Sequence, residues 1–546
     1  MCFLKDADFR SIGHARPSDP GSVTRSVAPQ SSGEAEAAGA PGDWVQFLRI
    51  FRAHAVVRRP IFLNLKRILP KRRAAAFLCC APIGAAIVIC MMIKSINPAT
   101  EQTIAEYSEH SPQQIEQILQ SASAAFVQWR KIPIAGRAGP MKRLATVLRK
   151  RRDELASLMT AEVGKTITAS EAEIEKCAGG CDFFADHAAR FLAELEIPTD
   201  GRRSGVRFDP LGAVLAIMPW NFPFWQVIRF AAPALMAGNV GLLKHAASVP
   251  GCALALERAM TEAQFPPGVF AALLVQDNQA AQDLIAHPAI AAVTLTGSER
   301  AGLAVAQAAA KVLKKSVLEL GGSDAFIVLA DADIPAVAKA AAQARCINNG
   351  QSCIAAKRFI VEQPIAERFE SEMTAAMAAM KVGDPRDRSV NLGPLARLDL
   401  LESLDRQVRS SVAGGAVLRT GGKRRLGRGF FYEPTVLCNV TPGMAAFDEE
   451  TFGPVAAIIR AADAAQAVEL ANQSRFGLGA SIWTTDVDRA AALAADIQAG
   501  AVFINGAVKS DSRLPFGGIK HSGWGRELAE FGIREFVNVK TIWIAK

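Results

Sequence analysis

The sequence is poor in aromatic and charged side chains. Of its 546 residues, 7% are aromatic and 21% are charged, whereas 50% are hydrophobic. So large an apolar fraction with so little charge excludes a disordered or fibrous protein. The length allows roughly two to four globular domains, with enough apolar side chains to fill a large core.

The chain also lacks the cysteine and histidine patterns of metal or disulfide proteins. It has ten cysteines and seven histidines, but no CxxC pair and no histidines at metal-ligand spacing. Six of the cysteines follow residue 91: Cys177, Cys181, Cys252, Cys346, Cys353 and Cys438. This pattern is typical of free thiols in a reducing compartment. We therefore expect a cytoplasmic protein with no bound metal.

The net charge of +9 is concentrated at the front of the chain. Residues 1–91 hold 13 Lys and Arg against 6 Asp and Glu, so the remainder is close to neutral. No basic face for nucleic acid is predicted for the main body.

Residues 1–91 differ from the rest of the sequence. The 17–43 segment is rich in Pro, Ser, Gly and Ala, a composition typical of disorder. Ala74 to Ile93 form an uncharged run of 20 residues, long enough to span a membrane. We favour the interpretation that residues 1–91 are not native and that a folded domain begins near Met92. The alternatives are a membrane anchor, which would give a membrane-bound protein, and a targeting segment.

From about residue 212, short apolar runs alternate with alanine-rich helical stretches. Continuous apolar runs between helices indicate parallel strands covered on both faces. The first group is Ala213–Met218, Gly241–Lys244, Ala271–Val275, Ala292–Thr296, Ser316–Leu320 and Ala325–Leu329; the second is Arg358–Val361, Pro454–Ile459, Ala480–Trp483 and Ala501–Ile504. The pattern predicts an α/β protein with two tandem open parallel-sheet, Rossmann-like domains. A last strand, from Phe536 to Ile544, is expected to pair with another domain or subunit.

Three candidate catalytic residues lie at or just after the ends of predicted strands and helices. Glu319 lies at the end of an apolar strand, where ligand sites of α/β proteins occur. Asn221, in the rigid turn Pro219–Pro223, could direct an amide donor at a developing oxyanion. Cys353 follows a helical stretch and could be a buried thiol or a nucleophile. Together, a thiol, a carboxylate and an amide donor suggest acyl transfer through a thioester.

Seven sequence blocks carry a resemblance to a known family. They are Pro219-Trp220-Asn221-Phe222-Pro223, Lys244, Gly297-Ser298 with Gly302, Glu319-Leu320-Gly321-Gly322, Gly350-Gln351-Ser352-Cys353, Glu450-Thr451-Phe452-Gly453-Pro454, and Pro515-Phe516-Gly517-Gly518-Ile519-Lys520 running into Ser522-Gly523. From about Met92 to Lys546 the chain resembles the aldehyde dehydrogenase superfamily. Within it, the chain is most similar to bacterial succinate-semialdehyde dehydrogenases that accept NAD or NADP.

The resemblance implies a role for each matching residue. Cys353 would attack the aldehyde, Asn221 would hold the oxyanion, and Glu319 would activate the water that releases the acid. The cofactor, NAD or NADP, would contact seven residues: Trp220, Lys244, Gly297, Ser298, Gly302, Glu450 and Phe452.

The resemblance also implies a division of the chain. Residues 92–320 would form the cofactor domain and 321–530 the catalytic domain. The 193–209 region and the 531–546 strand would form a bridging β-element that pairs subunits, giving a homodimer or homotetramer.

Two positions depart from the family pattern. Ala247 stands where many NAD-specific relatives have a glutamate, so no carboxylate would repel a 2′-phosphate. Phe230 stands where many relatives have a lysine of a proton relay, which leaves that relay in doubt.

The resemblance also implies a set of substrate residues. Arg229 is predicted to bind the distal carboxylate of succinic semialdehyde, because a guanidinium matches a carboxylate. Its alternative is a structural ion pair. Trp225, Arg345 and Ser510 are expected to assist.

The leading function is NAD(P)-dependent oxidation of succinic semialdehyde or a similar short carboxylated aldehyde. The alternatives are a broad-specificity or glutarate-semialdehyde dehydrogenase, a CoA-acylating relative, a membrane-bound fatty-aldehyde enzyme, and a catalytically idle protein of the same fold.

Overall fold

The computed structural model describes residues 92–546. The predictions for residues 1–91 lie outside the described residues. This includes the apolar 74–93 run, except for its last two residues. Met92 and Ile93 begin the first strand.

The strands alternate with helices through most of the described chain. In chain order they are β1 (Met92–Ile96), β2 (Thr103–Ser108), β3 (Leu195–Glu196), β4 (Arg203–Pro210), β5 (Ala213–Met218), β6 (Val240–His245), β7 (Phe270–Ala272), β8 (Ile290–Thr296), β9 (Lys315–Glu319), β10 (Ala325–Val328), β11 (Arg358–Glu362), β12 (Val417–Thr420), β13 (Thr435–Cys438), β14 (Val455–Ala461), β15 (Phe476–Gly477), β16 (Gly479–Trp483), β17 (Ala501–Ile504), β18 (Ile519–Lys520), β19 (Gly523–Trp524) and β20 (Val537–Ile544).

The helices, in chain order, are α1 (Pro112–Trp129), α2 (Ile134–Lys150), α3 (Arg152–Val163), α4 (Ile167–Phe191), α5 (Trp225–Ala237), α6 (Pro250–Glu262), α7 (Asn278–Ala286), α8 (Glu299–Lys311), α9 (Ile334–Cys346), α10 (Ala366–Ala378), α11 (Leu398–Ala413), α12 (Ala445–Asp448), α13 (Ala464–Asn472), α14 (Val487–Ala494) and α15 (Ala529–Ile533), with short 3₁₀ turns at Ile347–Gly350 and Gln363–Ile365. Four α-helices precede the first parallel strand: α2, α3 and α4 pack on one another, and α1 packs on β5, β6 and β7.

The first large sheet has six strands in the order β19-β9-β8-β5-β6-β7. Five are parallel, and β19 pairs antiparallel with β9. Strand β5 is buried at five of its six residues, as its continuous apolar sequence requires in a sheet covered on both faces. At Gly523 in β19, φ is +109° and a Cβ would lie 2.0 Å from the Leu318 carbonyl oxygen. Only glycine allows this strand to pair beside Glu319.

The second large sheet has seven strands in the order β12-β13-β14-β11-β10-β16-β17. All neighbours are parallel except β12, which is antiparallel to β13. The prediction of an α/β protein with two open, largely parallel sheets is confirmed. The carboxyl ends of β5, β6, β8 and β9 carry the residues that the sequence singles out in the first domain.

A three-stranded antiparallel sheet, β20-β4-β3, joins the C-terminal strand to the 195–210 region. Strand β20 lies at the edge of this sheet, where it exposes Val539 and Trp543, at 62% and 51%. Within residues 92–546, no helix has the length and apolarity needed to cross a membrane.

Candidate active site

Cys353 lies in a loop that is held by buried polar side chains. Asn348 and Asn349 before it adopt left-handed backbone angles, with φ of 52° and 58°. The Asn349 amide donates to the carbonyl oxygens of Gly164 and Pro394, at 2.9 and 3.0 Å. These contacts fix the turn that delivers the half-buried thiol to the site.

Arg345 is fully buried beneath the same loop. Its guanidinium donates to the carbonyl oxygens of Ala356, Gly350 and Thr451, at 2.9, 2.5 and 3.4 Å. The structure does not support the prediction that Arg345 assists in substrate binding, because both of its terminal nitrogens donate to the backbone and the residue has no exposed surface. It is a structural residue of the cysteine loop.

Lys357 is a second buried cation at this loop, and sequence reasoning missed it. Its ammonium donates to the carbonyl oxygens of Ser352, Cys353 and Ala355, at 2.9, 2.8 and 3.1 Å. It lies 3.7 Å from Glu450. A lysine inside an apolar run four residues after a candidate nucleophile was the available signal, because a buried lysine needs acceptors.

Asn221 reaches this loop from the turn that follows β5. Its Nδ2 donates to the Gln351 carbonyl oxygen at 3.0 Å, and its Oδ1 accepts from Gln226 Nε2 at 3.0 Å. The Asn348 amide donates to the Asn221 carbonyl oxygen at 2.8 Å. A primary amide has two N–H donors, so one remains for an oxyanion formed at Cys353.

His245 anchors the same turn from the end of β6. Its Nε2 lies 2.9 Å from the Pro223 carbonyl oxygen, within hydrogen-bond distance. Burial lowers the pKa of His245 to about 4, so the ring is neutral at pH 7. The turn is thus fixed without an added charge.

Glu319 ends β9 with a buried side chain that is 2% exposed. Neither of its carboxyl oxygens makes a hydrogen bond to a described residue. Burial raises the pKa of Glu319 well above its usual value and Glu527 adds to this, whereas the charges of Arg229 and Arg526 oppose it. A Cβ on Gly517 would lie 2.7 Å from Glu319 Oε1, so glycine leaves the carboxyl group its space.

The Cys353 thiol responds to the same charges. Burial raises its pKa to about 12, and the charges of Arg229 and Lys357 act in the opposite direction. At pH 7 the resting thiol is therefore protonated, and nucleophilic attack requires a base or additional positive charge.

Arg229 lies on α5 between these groups, but it has a partner. Its Nε forms a buried ion pair with Glu527, and its Nη2 donates to Thr296 Oγ1 at 3.3 Å. The guanidinium also lies 4.6 Å from the ring centre of Phe516. The predicted clamp is thus not a free guanidinium, and the structural ion pair that the sequence left as its alternative is present.

Phe230, which replaces the relay lysine of many relatives, packs in the core. Its ring makes an edge contact with Phe536 at 5.8 Å between ring centres. No titratable group therefore stands at this position.

Ser510 and Trp225, both predicted to contact substrate, lie in contact with each other. The indole N–H of Trp225 donates to Ser510 Oγ at 3.0 Å. Lys176 Nζ on α4 lies 2.7 Å from the same oxygen. Sequence reasoning missed Lys176, because nothing near it in the chain indicates its neighbour 334 positions away.

The predicted cofactor residues surround one end of the first sheet. Ser298 caps α8 by accepting from the Ala301 N–H at 3.3 Å. A Cβ on Gly297 would meet nothing closer than 3.5 Å, whereas one on Gly302 would lie 2.6 Å from Leu320. The N-terminus of α8 at Gly297 and Ser298 is a place where a phosphate is favoured, and Gly302 lets α8 pack closely on Leu320.

The remaining predicted cofactor residues are Lys244, Glu450, Trp220 and Phe452. Lys244 at the carboxyl end of β6 has no carboxylate within 4.0 Å in residues 92–546, and burial lowers its pKa. Glu450 accepts from the Gly322 N–H at 3.0 Å. The rings of Trp220 and Phe452 meet edge to face at 5.9 Å. An unpaired cation, a helix N-terminus and an aromatic pair fit a dinucleotide with phosphate groups.

The comparisons with known proteins agree with this geometry. Residues 90–542 match the model of the aldehyde dehydrogenase family. A probable NADP(+) succinate-semialdehyde dehydrogenase of Synechocystis sp. is 51% identical over 455 residues, 83% of this chain and 100% of that protein. An NAD(P)+ succinate semialdehyde dehydrogenase of Escherichia coli is 49% identical over 82% of this chain and 97% of that protein.

A solved structure is similar as well. The succinic semialdehyde dehydrogenase of Streptococcus pyogenes, in complex with NADP+, has a TM-score of 0.81 and 36% identity, covering 83% of this chain and 100% of that one. The chain belongs to the aldehyde dehydrogenase family.

Proposed function

We propose that the protein oxidises succinic semialdehyde to succinate with NAD(P)+ through a thioester on Cys353. The observation that carries the proposal is the convergence of three groups from separate elements. Asn221 donates to the cysteine loop, while Glu319 lies close enough to Cys353 to raise the pKa of its thiol. The names of the similar proteins support the substrate and the cofactor.

The steps assigned to the chain follow from these positions. The Cys353 thiol gives its proton to solvent, Sγ attacks the aldehyde carbon, and the free N–H of Asn221 stabilises the oxyanion until hydride leaves that carbon and the thioester remains. A bound nicotinamide supplies a hydride acceptor and a positively charged ring. Glu319 then takes a proton from the water that cleaves the thioester. Burial raises its pKa, which makes the carboxylate a stronger base, and Arg229 and Arg526 act in the opposite direction to favour its ionised form.

The cofactor would be held by the residues around α8 and β6. The phosphates would meet the α8 N-terminus at Gly297 and Ser298, with Gly302 permitting the close helix packing. Lys244 would bind the adenosine ribose, Glu450 the nicotinamide ribose, and Phe452 and Trp220 would flank the ring. Ala247 leaves no carboxylate against a 2′-phosphate, so both NAD and NADP are accepted.

The substrate is held at its distal carboxylate by the wall that contains Arg229, Trp225 and Ser510. The ion pair with Glu527 limits what Arg229 contributes, so its charge is shared with a resident carboxylate. The Ser510 O–H can still donate a hydrogen bond to the carboxylate.

We also propose that the protein is a homo-oligomer, either a dimer or a tetramer, located in the cytoplasm. Edge strand β20 exposes Val539 and Trp543, a surface that a second copy would cover. The six cysteines of residues 92–546 are all free thiols, which suits a reducing compartment.

A steady-state assay of the full chain tests the function. Succinic semialdehyde, glutaric semialdehyde and butanal are each compared with NAD and with NADP. The proposal predicts the highest kcat/KM for succinic semialdehyde. An equal kcat/KM for butanal would make the protein a broad-specificity dehydrogenase. The highest kcat/KM for glutaric semialdehyde would make that aldehyde the substrate. No activity on any of the three would favour a catalytically idle protein of the same fold.

A further inference from the structure

Lys176 is a cation at the substrate wall that no carboxylate neutralises. In residues 92–546, no carboxylate oxygen lies within 4.0 Å of its Nζ. The two nearby acidic groups have other partners: Glu173 pairs with Lys165, and Asp511 with Arg513 at 2.6 Å. The charge of Lys176 is therefore available to bind an anion, whereas that of Arg229 is paired with Glu527.

The hydrogen bonds around Ser510 leave donors without acceptors. Ser510 Oγ accepts from Lys176 Nζ at 2.7 Å and from Trp225 Nε1 at 3.0 Å. A hydroxyl group has two lone pairs and one proton, so its own O–H is left to donate. An ammonium has three protons, and only one of those on Lys176 has an acceptor among the described residues.

Lys176 is held in place relative to the turn that carries Asn221. The Glu173 carboxylate, one helical turn before Lys176, accepts from the N–H groups of Phe224 and Trp225 at 3.0 and 2.9 Å. It thereby holds the start of α5, immediately after the turn that carries Asn221. Lys176 Nζ lies 4.5 Å from the centre of the Trp225 ring. The residue as a whole is exposed, whereas its ammonium is partly enclosed beside Ser510 and the Trp225 ring, so a ligand can still reach the remaining donors.

We propose that Lys176, together with the Ser510 hydroxyl, binds the distal carboxylate of the aldehyde substrate and sets the preference for a carboxylated aldehyde. An unneutralised ammonium and a free hydroxyl proton that converge on one point form a receptor for an anion. This inference rests on the proposed function, because it assigns a binding site to the carboxylate of the proposed substrate.

The test compares Lys176→Met and Lys176→Arg with the unchanged full chain on succinic semialdehyde and butanal. Methionine keeps an apolar stem against Trp225 and removes the charge. We expect KM for succinic semialdehyde to rise about 10- to 100-fold in Lys176→Met, with kcat and the butanal kinetics nearly unchanged. Lys176→Arg should restore most of the affinity. Lys509→Met, which removes an exposed lysine next to Ser510, is the matched control.

The outcomes separate this inference from the proposed function. An unchanged KM for succinic semialdehyde in Lys176→Met, while the unchanged chain still prefers that substrate to butanal, would overturn the role of Lys176 alone. Equal losses on both substrates, accompanied by a lower Tm, would also overturn it and make the contact with Ser510 a structural tie. If the unchanged chain has no preference for the carboxylated aldehyde, the proposed substrate itself is wrong.

Discussion

Arg229 and Glu527 form an ion pair in which the two side chains are only 4% and 5% exposed. The pair lies beside Glu319, and both of its members act on the pKa of that carboxyl group. A substitution at Arg229 therefore affects stability and catalysis together, which complicates its use as a simple test of substrate binding.

We expect Arg229→Met to lower the free energy of unfolding by about 3–5 kcal/mol, because it leaves the Glu527 carboxylate buried without its partner. Arg229→Met combined with Glu527→Gln should recover much of this loss, since no unpaired charge then remains. Urea denaturation of the single and double variants measures both effects. A single variant as stable as the unchanged chain would contradict the ion pair.

Asn221→Ala should reduce kcat about 10²- to 10³-fold, because it removes one donor to the oxyanion. Gln226→Leu is the comparison, since Gln226 only orients the Asn221 amide through its Oδ1. The loss of kcat in Gln226→Leu should be clearly smaller than that in Asn221→Ala. Steady-state kinetics decide the matter, and similar losses in the two variants would mean that Asn221 acts by holding the loop.

Lys357→Met should lower both Tm and kcat. It removes the donor to three carbonyl oxygens of the cysteine loop, including that of Cys353 at 2.8 Å. Displacement of the reacting atom by about 1 Å can cost about 10²-fold in rate. Thermal unfolding and the pre-steady-state rate of cofactor reduction measure the two effects. An unchanged rate would show that the loop holds its geometry without the lysine.

Substrate discrimination should depend on pH through Lys176. Its pKa is lowered to about 8, first by burial of its ammonium and then by the charge of Arg229; Cys177, Glu173 and Asp511 act in the opposite direction. The protonated form binds a carboxylate, so the ratio of kcat/KM for succinic semialdehyde to that for butanal should be high below pH 8 and fall above it. Titrations of Cys353 and Glu319 affect both substrates and cancel in the ratio.

Lys176→Arg provides the control for this dependence, because arginine stays protonated throughout the range. Its ratio should remain flat from pH 7 to pH 10. A ratio that falls equally in the arginine variant would assign the pH dependence to another group.

Local patterns predicted much of the fold. The continuous apolar runs at Ala213–Met218 and Ala501–Ile504 have the same bounds in the structure as in the sequence. Because a parallel strand is buried on both faces, its apolar sequence is itself the signal.

The partners of buried charges could not be predicted in the same way. Arg229 pairs with Glu527, about 300 residues later, and Lys176 meets Ser510 across 334 positions. Arg345 is expected from the sequence to assist substrate binding, yet its guanidinium holds backbone carbonyl oxygens of the cysteine loop. A sequence shows that a charge is present, but the tertiary fold decides which group neutralises it.

The central claim, a thioester on Cys353 that Glu319 helps to hydrolyse, is tested most directly in Glu319→Gln. The variant is mixed with succinic semialdehyde and NADP, quenched in acid and examined by peptide mass spectrometry, with Cys353→Ala as the control. The account predicts one burst of reduced cofactor without turnover and a succinyl group on the peptide that contains Cys353. Normal turnover with an unmodified Cys353 peptide would contradict it.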